Sequence, residues 1–240
     1  MRMRRVTLAA AVIAVLLLLL AGPGVRIGLW TFRSGFSLLQ WAAYLGLAVV
    51  AAALLQLLSA RTRGPRPWPL LMAVVLGGLA AGVPWYWRRL AERAPPIHDI
   101  STDTQDPPGF VAVLPLRAGA PNSATYGGAE VAAAQHEAYP DIRPLELPAT
   151  APAAAFSRAL AAARDAGWAI VAADSTAGSI EATATTGWFG FKDDVVVRIR
   201  PEGVGSRVDV RSVSRVGGSD VGTNARRIRR YLQDLAGRAG

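Results

Sequence analysis

The sequence predicts a mixed architecture: three N-terminal transmembrane helices, then an α+β domain built on an antiparallel four-strand sheet with helices on one face. Three observations carry this expectation. Hydrophobic residues make up 52% of the 240-residue chain, too many for an ordinary soluble domain. The most apolar runs all fall before residue 93. Beyond it, short period-two stretches separated by turn residues lie between two amphipathic helical patterns.

Residues 1–93 read as a membrane module. The run 6–22 (VTLAAAVIAVLLLLLAG) follows Arg2, Arg4 and Arg5, as a secretory signal would. It is longer than the usual signal core of about 7–15 residues, lacks a small-residue cleavage site, and is followed by further apolar runs at 36–58 and 70–87. Each run is near the roughly 20 residues needed to cross a bilayer. With the N-terminus inside, Arg2, Arg4, Arg5, Arg61, Arg63 and Arg66 are cytoplasmic, against Arg26, Arg33, Arg88, Arg89 and Arg93 on the other side. The weight of the first helix and of the short loop RTRGPRP favours this orientation, with the C-terminal domain outside. Trp30, Phe32, Trp85, Tyr86 and Trp87 then form an aromatic belt at the outer interface. Gln40 and Gln56 are the strongly polar groups of the second span, and no ionisable group lies within any span, which argues against an ion pore. Gly78 and Gly82 form a GxxxG pair, assigned to packing among the three helices in preference to a dimer seam.

Residues 94–240 read as one domain. Its first third is extended and proline-rich, with a short helix near 129–138. Thr150 and Pro152 open a helix bearing Phe156, Leu160 and Ala163 at helical spacing, and Gly167 ends it. Strands follow at 168–173, 179–186, 194–201 and 206–216, joined by turns such as ADSTAG and EGVG. A last helix starts near Ser219 or Asp220, with Ile228, Tyr231, Leu232 and Leu235 on one face. Period two sends Ile180, Ala182, Ala184, Val195, Val197, Ile199, Val208 and Val210 toward the helices.

The other face receives Glu181, Thr183, Arg198, Arg200, Arg207, Asp209, Arg211 and Arg215. Guanidinium groups match phosphate and carboxylate geometry, so this face is a candidate contact for an anionic lipid, a glycan or an envelope protein. The competing account is a solvated face with cross-strand ion pairs, in which Glu181 and Asp209 hold neighbouring arginines. Residues 94–180 carry four basic against nine acidic groups and residues 181–240 eleven against seven, which points to an acidic segment lying against the basic half. A nucleic-acid partner is excluded by position: residues 1–93 hold 11 arginines against the single acid Glu92, while the folded domain holds 15 basic against 16 acidic groups.

Two further stretches carry candidate chemistry. TGWFGFKDD places Trp188, Phe189 and Phe191 at a loop tip suited to a ligand or a membrane interface, although such aromatics more often close one end of a small core. Asp193 and Asp194, adjacent on extended chain, point to opposite faces. PPIHDISTDTQDPPGF gathers His98, Asp99, Asp103 and Asp106, a possible metal set. Its spacing fits neither a calcium loop nor a zinc helix, and Asp, Ser, Thr and Pro are also turn formers, so a structural loop is the better reading. With no cysteine, thiolate sites, disulfides and a lipidated cysteine are excluded.

The stretches IHDISTDTQDPPGF, AYPDI (138–142), GWAIV (167–171) and above all IEATATTGWFGFKDDVVVRIRPEGVGSRVDVRSVSRVGGSDVGTNARRIRRYL resemble the DUF1499 family, a bacterial and plastid domain of unknown function, over about residues 97–235. The resemblance implies an envelope setting and an outward-facing domain, and supplies no catalytic residues or cofactor. The expectation is therefore a multi-pass protein of the bacterial inner membrane with a periplasmic, non-catalytic binding domain contacting its ligand through Arg198, Arg200, Arg207 and Arg211 with the aromatic loop. The alternative is a hydrolase or metal-dependent enzyme with His98 as base and Asp99 or Asp103 orienting it.

Overall fold

The computed structural model describes residues 2–59 and 67–237. The chain divides into two compact units, Met1–Arg93 with Gly187–Gly190, and Ala94–Thr186 with Phe191–Gly240.

The first unit contains α1 (Arg2–Arg26), α2 (Phe32–Leu58) and α3 (Trp68–Arg93), each long and apolar enough to cross a membrane. They overrun the apolar runs at their ends, because flanking arginines are themselves good helix formers. Thr7 faces Gln56 and Ala21 faces Gly35, so α2 runs antiparallel to α1. The α1–α2 pair is tied by a buried hydrogen bond in which Gln56 Nε2 donates to Thr7 Oγ1 at 2.7 Å. Where α2 crosses α3, Gly46 and Gly77 bring the backbones together: a Cβ on Gly46 would lie 2.5 Å from the Gly77 carbonyl oxygen. Gly78 and Gly82 do not make this crossing. A Cβ at either would meet no described atom within 4 Å, so the GxxxG pair looks away from the other helices. The register offers the reason, since Gly77 already occupies the face of α3 turned to α2, and Gly78 is rotated about 100° from it. Trp30, Phe32, Trp85, Tyr86 and Trp87 share one end of the bundle, while Arg61, Arg63 and Arg66 lie outside the described residues.

The second unit is a six-stranded antiparallel sheet in the order β1-β6-β5-β4-β3, with β2 also paired to β6. The four expected strands are β3 (Ala169–Asp174), β4 (Ser179–Thr185), β5 (Lys192–Glu202) and β6 (Gly205–Ser214). Two more, β1 (Asp99–Ser101) and β2 (Leu145–Leu147), are only three residues each, too short to show a period of two. Both borrow order from the long strand β6.

On one face, α5 (Pro152–Asp165) and α6 (Thr223–Gly237) bury Phe156, Ala159, Ala163, Ile228, Tyr231 and Leu235 against the expected inward residues of β4, β5 and β6. Trp168 stacks on Tyr231 at 4.7 Å, and the Tyr231 hydroxyl donates to the Ala159 carbonyl. Gly167, at φ +74°, takes the left-handed position that ends α5. The short helix α4 (Gly128–Ala138) docks through buried Gln135, whose amide both accepts from the Ser101 N–H and donates to the Ser101 carbonyl, closing the outer edge of β1.

Much of the opposite face is enclosed, with Arg200 and Arg207 left partly exposed. An irregular strap, residues 102–126, crosses it and buries Phe110 and Val113 against Val196 and Val213. The sheet is therefore covered on both sides, by helices on one and by the strap on the other.

Candidate functional site

The strap face is a polar layer assembled from β4, β5, β6 and the strap. Alternation along β5 and β6 puts Arg198 opposite Asp209 and Arg200 directly opposite Arg207. Two guanidinium groups facing each other across a strand pair are unfavourable unless carboxylates intervene. Asp209, fully buried, supplies one: its Oδ2 accepts from Arg198 (3.0 Å) and Arg200 (2.9 Å), and its Oδ1 from Arg207 (3.0 Å).

Asp103 supplies the second. Its Oδ1 accepts the backbone N–H of Gln105 and Asp106, forming an Asx turn that fixes the start of the strap. Its Oδ2 is thereby turned to Arg207 (2.9 Å) and Arg200 (3.3 Å). Burial works against the ionised form of Asp103, but the two backbone donors and the nearby arginines outweigh it and hold the carboxyl below the usual carboxylate range. Asp106 is the third, and it is 68% exposed; its Oδ2 receives Arg198 Nη1 and Arg200 Nη1, both at 3.0 Å. Beside this cluster, Thr102, Asp103, Thr104, Gln105, Asp106, His136, Arg200 and Arg207 line an open surface hollow of about 370 Å³. His136, on α4, meets Thr104 Oγ1 at 3.0 Å.

Toward the other end of the face the same residue type is enclosed. Arg211 forms a bidentate pair with Asp99 (2.9 and 2.7 Å), donates to the carbonyls of Pro108 and Ala124, and lies between the rings of Phe110 and Tyr126. Its side chain is 3% exposed and does not line the hollow. Burial, with Asp99 nearby, pushes the Tyr126 hydroxyl up to about 12. Asp194 gathers Thr183, Arg117 and Arg215, and these donors overcome burial to hold its carboxyl below the usual range. Asp193, one residue earlier, faces the helices and meets Arg227 of α6, so the two acids diverge as their extended backbone requires.

Glu181 differs from its expected part in a cross-strand ion pair. Its buried carboxylate accepts the backbone N–H groups of Val111, Ala112 and Val113 at 2.9 to 3.0 Å, anchoring the middle of the strap. A stretch of loop backbone has no ladder partner of its own, and a buried carboxylate satisfies three of its donors at once.

A family model described as "Protein of unknown function (DUF1499)" matches residues 99–235. The chain belongs to the DUF1499 family. No curated protein matches it. The matched region of this DUF1499 chain begins at β1 and ends in α6, so the strap, the arginines and the hollow all lie inside it and the three apolar helices lie before it.

The sequence-derived candidates are thus distributed over several places in the DUF1499 chain. Arg198, Arg200 and Arg207 come together with Asp103 and Asp106, while Asp99 lies apart, on Arg211. His98 contributes its carbonyl, which accepts from Ser214 N and Asn224 Nδ2. Among the described residues, no group of three or more His, Asp or Glu side chains is placed to hold a metal ion. Asp99 pairs with Arg211 and Asp103 with Arg207, so both carboxylates are occupied by guanidinium groups. Trp188 and Phe189 belong to the helical unit, where Phe189 meets Phe36 at 5.2 Å and the Trp188 ring fills the space beside Gly22. Phe191 belongs to the other unit, its N–H bonded to Thr186 Oγ1.

Sequence reasoning missed His136, Thr104 and Gln105 as members of this layer, and it placed Glu181 on this face without seeing that it anchors the strap. Glu181 carried a usable signal, being an acid on a strand whose nearest cross-strand partners are valine and alanine.

Proposed function

We propose that this protein is a non-catalytic, membrane-anchored binding module of the bacterial cell envelope. It sits in the cytoplasmic membrane with its N-terminus inside and presents the DUF1499 domain to the periplasm, where the hollow beside Arg198, Arg200 and Arg207 receives an anionic ligand. The observation that carries the reading is the hollow itself: Arg200 and Arg207, 37% and 29% exposed, are the partly accessible cations of an otherwise enclosed arginine layer. Guanidinium groups preset by inner carboxylates lose little freedom on meeting an anion. The orientation is supported by Arg2, Arg4 and Arg5 at the start of the first helix and by the aromatic residues collected at the opposite end.

The test uses the full chain in neutral detergent, analysed by native mass spectrometry after exposure to phosphatidylglycerol or phosphatidylcholine. Preferential retention of phosphatidylglycerol that is lost in the Arg200→Gln, Arg207→Gln double variant supports the reading. Equal retention of both lipids, or retention unchanged in the variant, refutes it. A periplasmic reporter at the C-terminus checks the orientation separately.

A further inference from the structure

The arginine cluster has two tiers of carboxylate. The inner tier, Asp209 and Asp103, engages Nε of Arg198 and Arg207 and Nη2 of all three arginines. These acids are 0% and 13% exposed and are fixed by strand and turn. The outer tier is one atom, Asp106 Oδ2, on which Arg198 Nη1 and Arg200 Nη1 converge at 3.0 Å each. Among the described residues only the two arginines hold that carboxylate, and it faces solvent. The loop carrying it is secured independently, by Asp103 Oδ1 on the Asp106 N–H and by Arg198 Nη2 on the Asp106 carbonyl at 2.8 Å.

Three arginines against Asp209 and Asp103 leave one positive charge, which Asp106 neutralises. An anion replacing Asp106 would need one negative charge and an oxygen able to accept two guanidinium N–H groups. A phosphodiester carries a single charge at neutral pH and presents such oxygens. The adjoining hollow offers Thr102, Thr104, Gln105 and His136 to the polar remainder of a head group, and the three apolar helices keep the chain at a lipid surface.

Resting on the binding function above, we propose that Arg198 and Arg200 form the seat for the phosphodiester of an anionic lipid head group, and that Asp106 is a built-in competitor occupying that seat in the unliganded protein. Lipid binding then swings the Asp106 side chain out into water without unfastening the strap. The seat is selective because a zwitterionic lipid adds a choline or ethanolamine cation next to guanidinium groups whose charge is already balanced.

The experiment compares the full wild-type chain with Asp106→Asn, Asp106→Ala and Arg200→Gln in neutral detergent, titrating water-soluble short-chain phosphatidylglycerol, phosphatidylcholine and inorganic phosphate. Both Asp106 variants should bind phosphatidylglycerol roughly threefold to fivefold more tightly than wild type, the scale set by removing a partly exposed ion pair. Arg200→Gln should abolish the preference over phosphatidylcholine. If Arg200→Gln loses binding but both Asp106 variants match wild type, the competitor is refuted while the binding site stands. If neither wild type nor either Asp106 variant prefers phosphatidylglycerol, the binding function fails with it. Binding of inorganic phosphate as tight as that of the lipid would overturn the head-group assignment.

Discussion

Arg211 and Arg200 sit on neighbouring strands, on the same face of one sheet, and both are bound by carboxylates, yet they occupy opposite physical regimes. Arg211 is desolvated, paired bidentately with a buried acid, capped by two carbonyls and held between two rings. Arg200 is 37% exposed and one of its three carboxylate partners faces solvent. A guanidinium of the first kind has four of its five N–H groups bonded inside the fold and serves to lock the strap to the sheet. One of the second kind can exchange a partner. The number of arginines on a face is therefore a poor guide to its affinity for anions, and the exposure of their partners is a better one.

The largest effect expected from this contrast is at the enclosed end. Arg211→Met leaves Asp99 charged and buried without a partner, and should destabilise the domain by about 3 to 5 kcal/mol. Thermal unfolding of the full chain in detergent, followed by protease resistance of the C-terminal region, measures it; a loss under about 1 kcal/mol would show that the pair is not the clamp described.

Next comes Glu181→Gln, which replaces a charged acceptor of three N–H groups with a neutral one and should cost about 1 to 3 kcal/mol. Its signature is local. Amide exchange at Val111, Ala112 and Val113 should accelerate while the sheet interior keeps its protection, and uniform acceleration would contradict an anchor confined to the strap.

Acid should act on the same layer. Asp103 and Asp194 both have folded-state carboxyls held below their ordinary values, so their contribution to stability is fully present above the unfolded value of about 3.9 and is lost as pH falls through the lowered folded values. Stability should thus fall below about pH 4. Substituting Asn at either position should flatten that limb of the curve, and an unchanged acid limb would remove these groups as its cause.

The smallest structural effect belongs to the open end. Arg207→Gln should cost no more than about 1 kcal/mol, since Asp209 keeps Arg198 and Arg200 and the lost pair is partly solvated. A cost near that of Arg211→Met would erase the distinction between the two ends.

How much of this was legible in the sequence follows from the same physics. Period two is a property of single strands, so the sidedness of β4, β5 and β6, including the divergence of Asp193 and Asp194, could be read from residue order. The three helices announced themselves by length and apolarity. The acidic strap against the basic strands was foreshadowed by the charge asymmetry between residues 94–180 and 181–240. What could not be read was long-range pairing. Asp103 and Arg207 are 104 residues apart, and the pairing depends on an Asx turn whose direction no local pattern states. The three-residue strands β1 and β2 exist only because β6 offers them edges. Gly46 and Gly77 escaped notice in the helices because their contact lies between two helices, whereas the GxxxG pair of Gly78 and Gly82 is conspicuous within one and faces away.

The central claim, that one arginine layer contains a locked end and an exchangeable end, is tested most directly by labelling the folded full chain with an arginine-specific dicarbonyl reagent and reading each site by peptide mass spectrometry, with and without phosphatidylglycerol. The account predicts that, within this layer, Arg200 and Arg207 react first and are protected by the lipid, while Arg211 and Arg117 stay unmodified in both conditions. Modification of Arg211 as fast as Arg200, or no protection of Arg200 by the lipid, would contradict it.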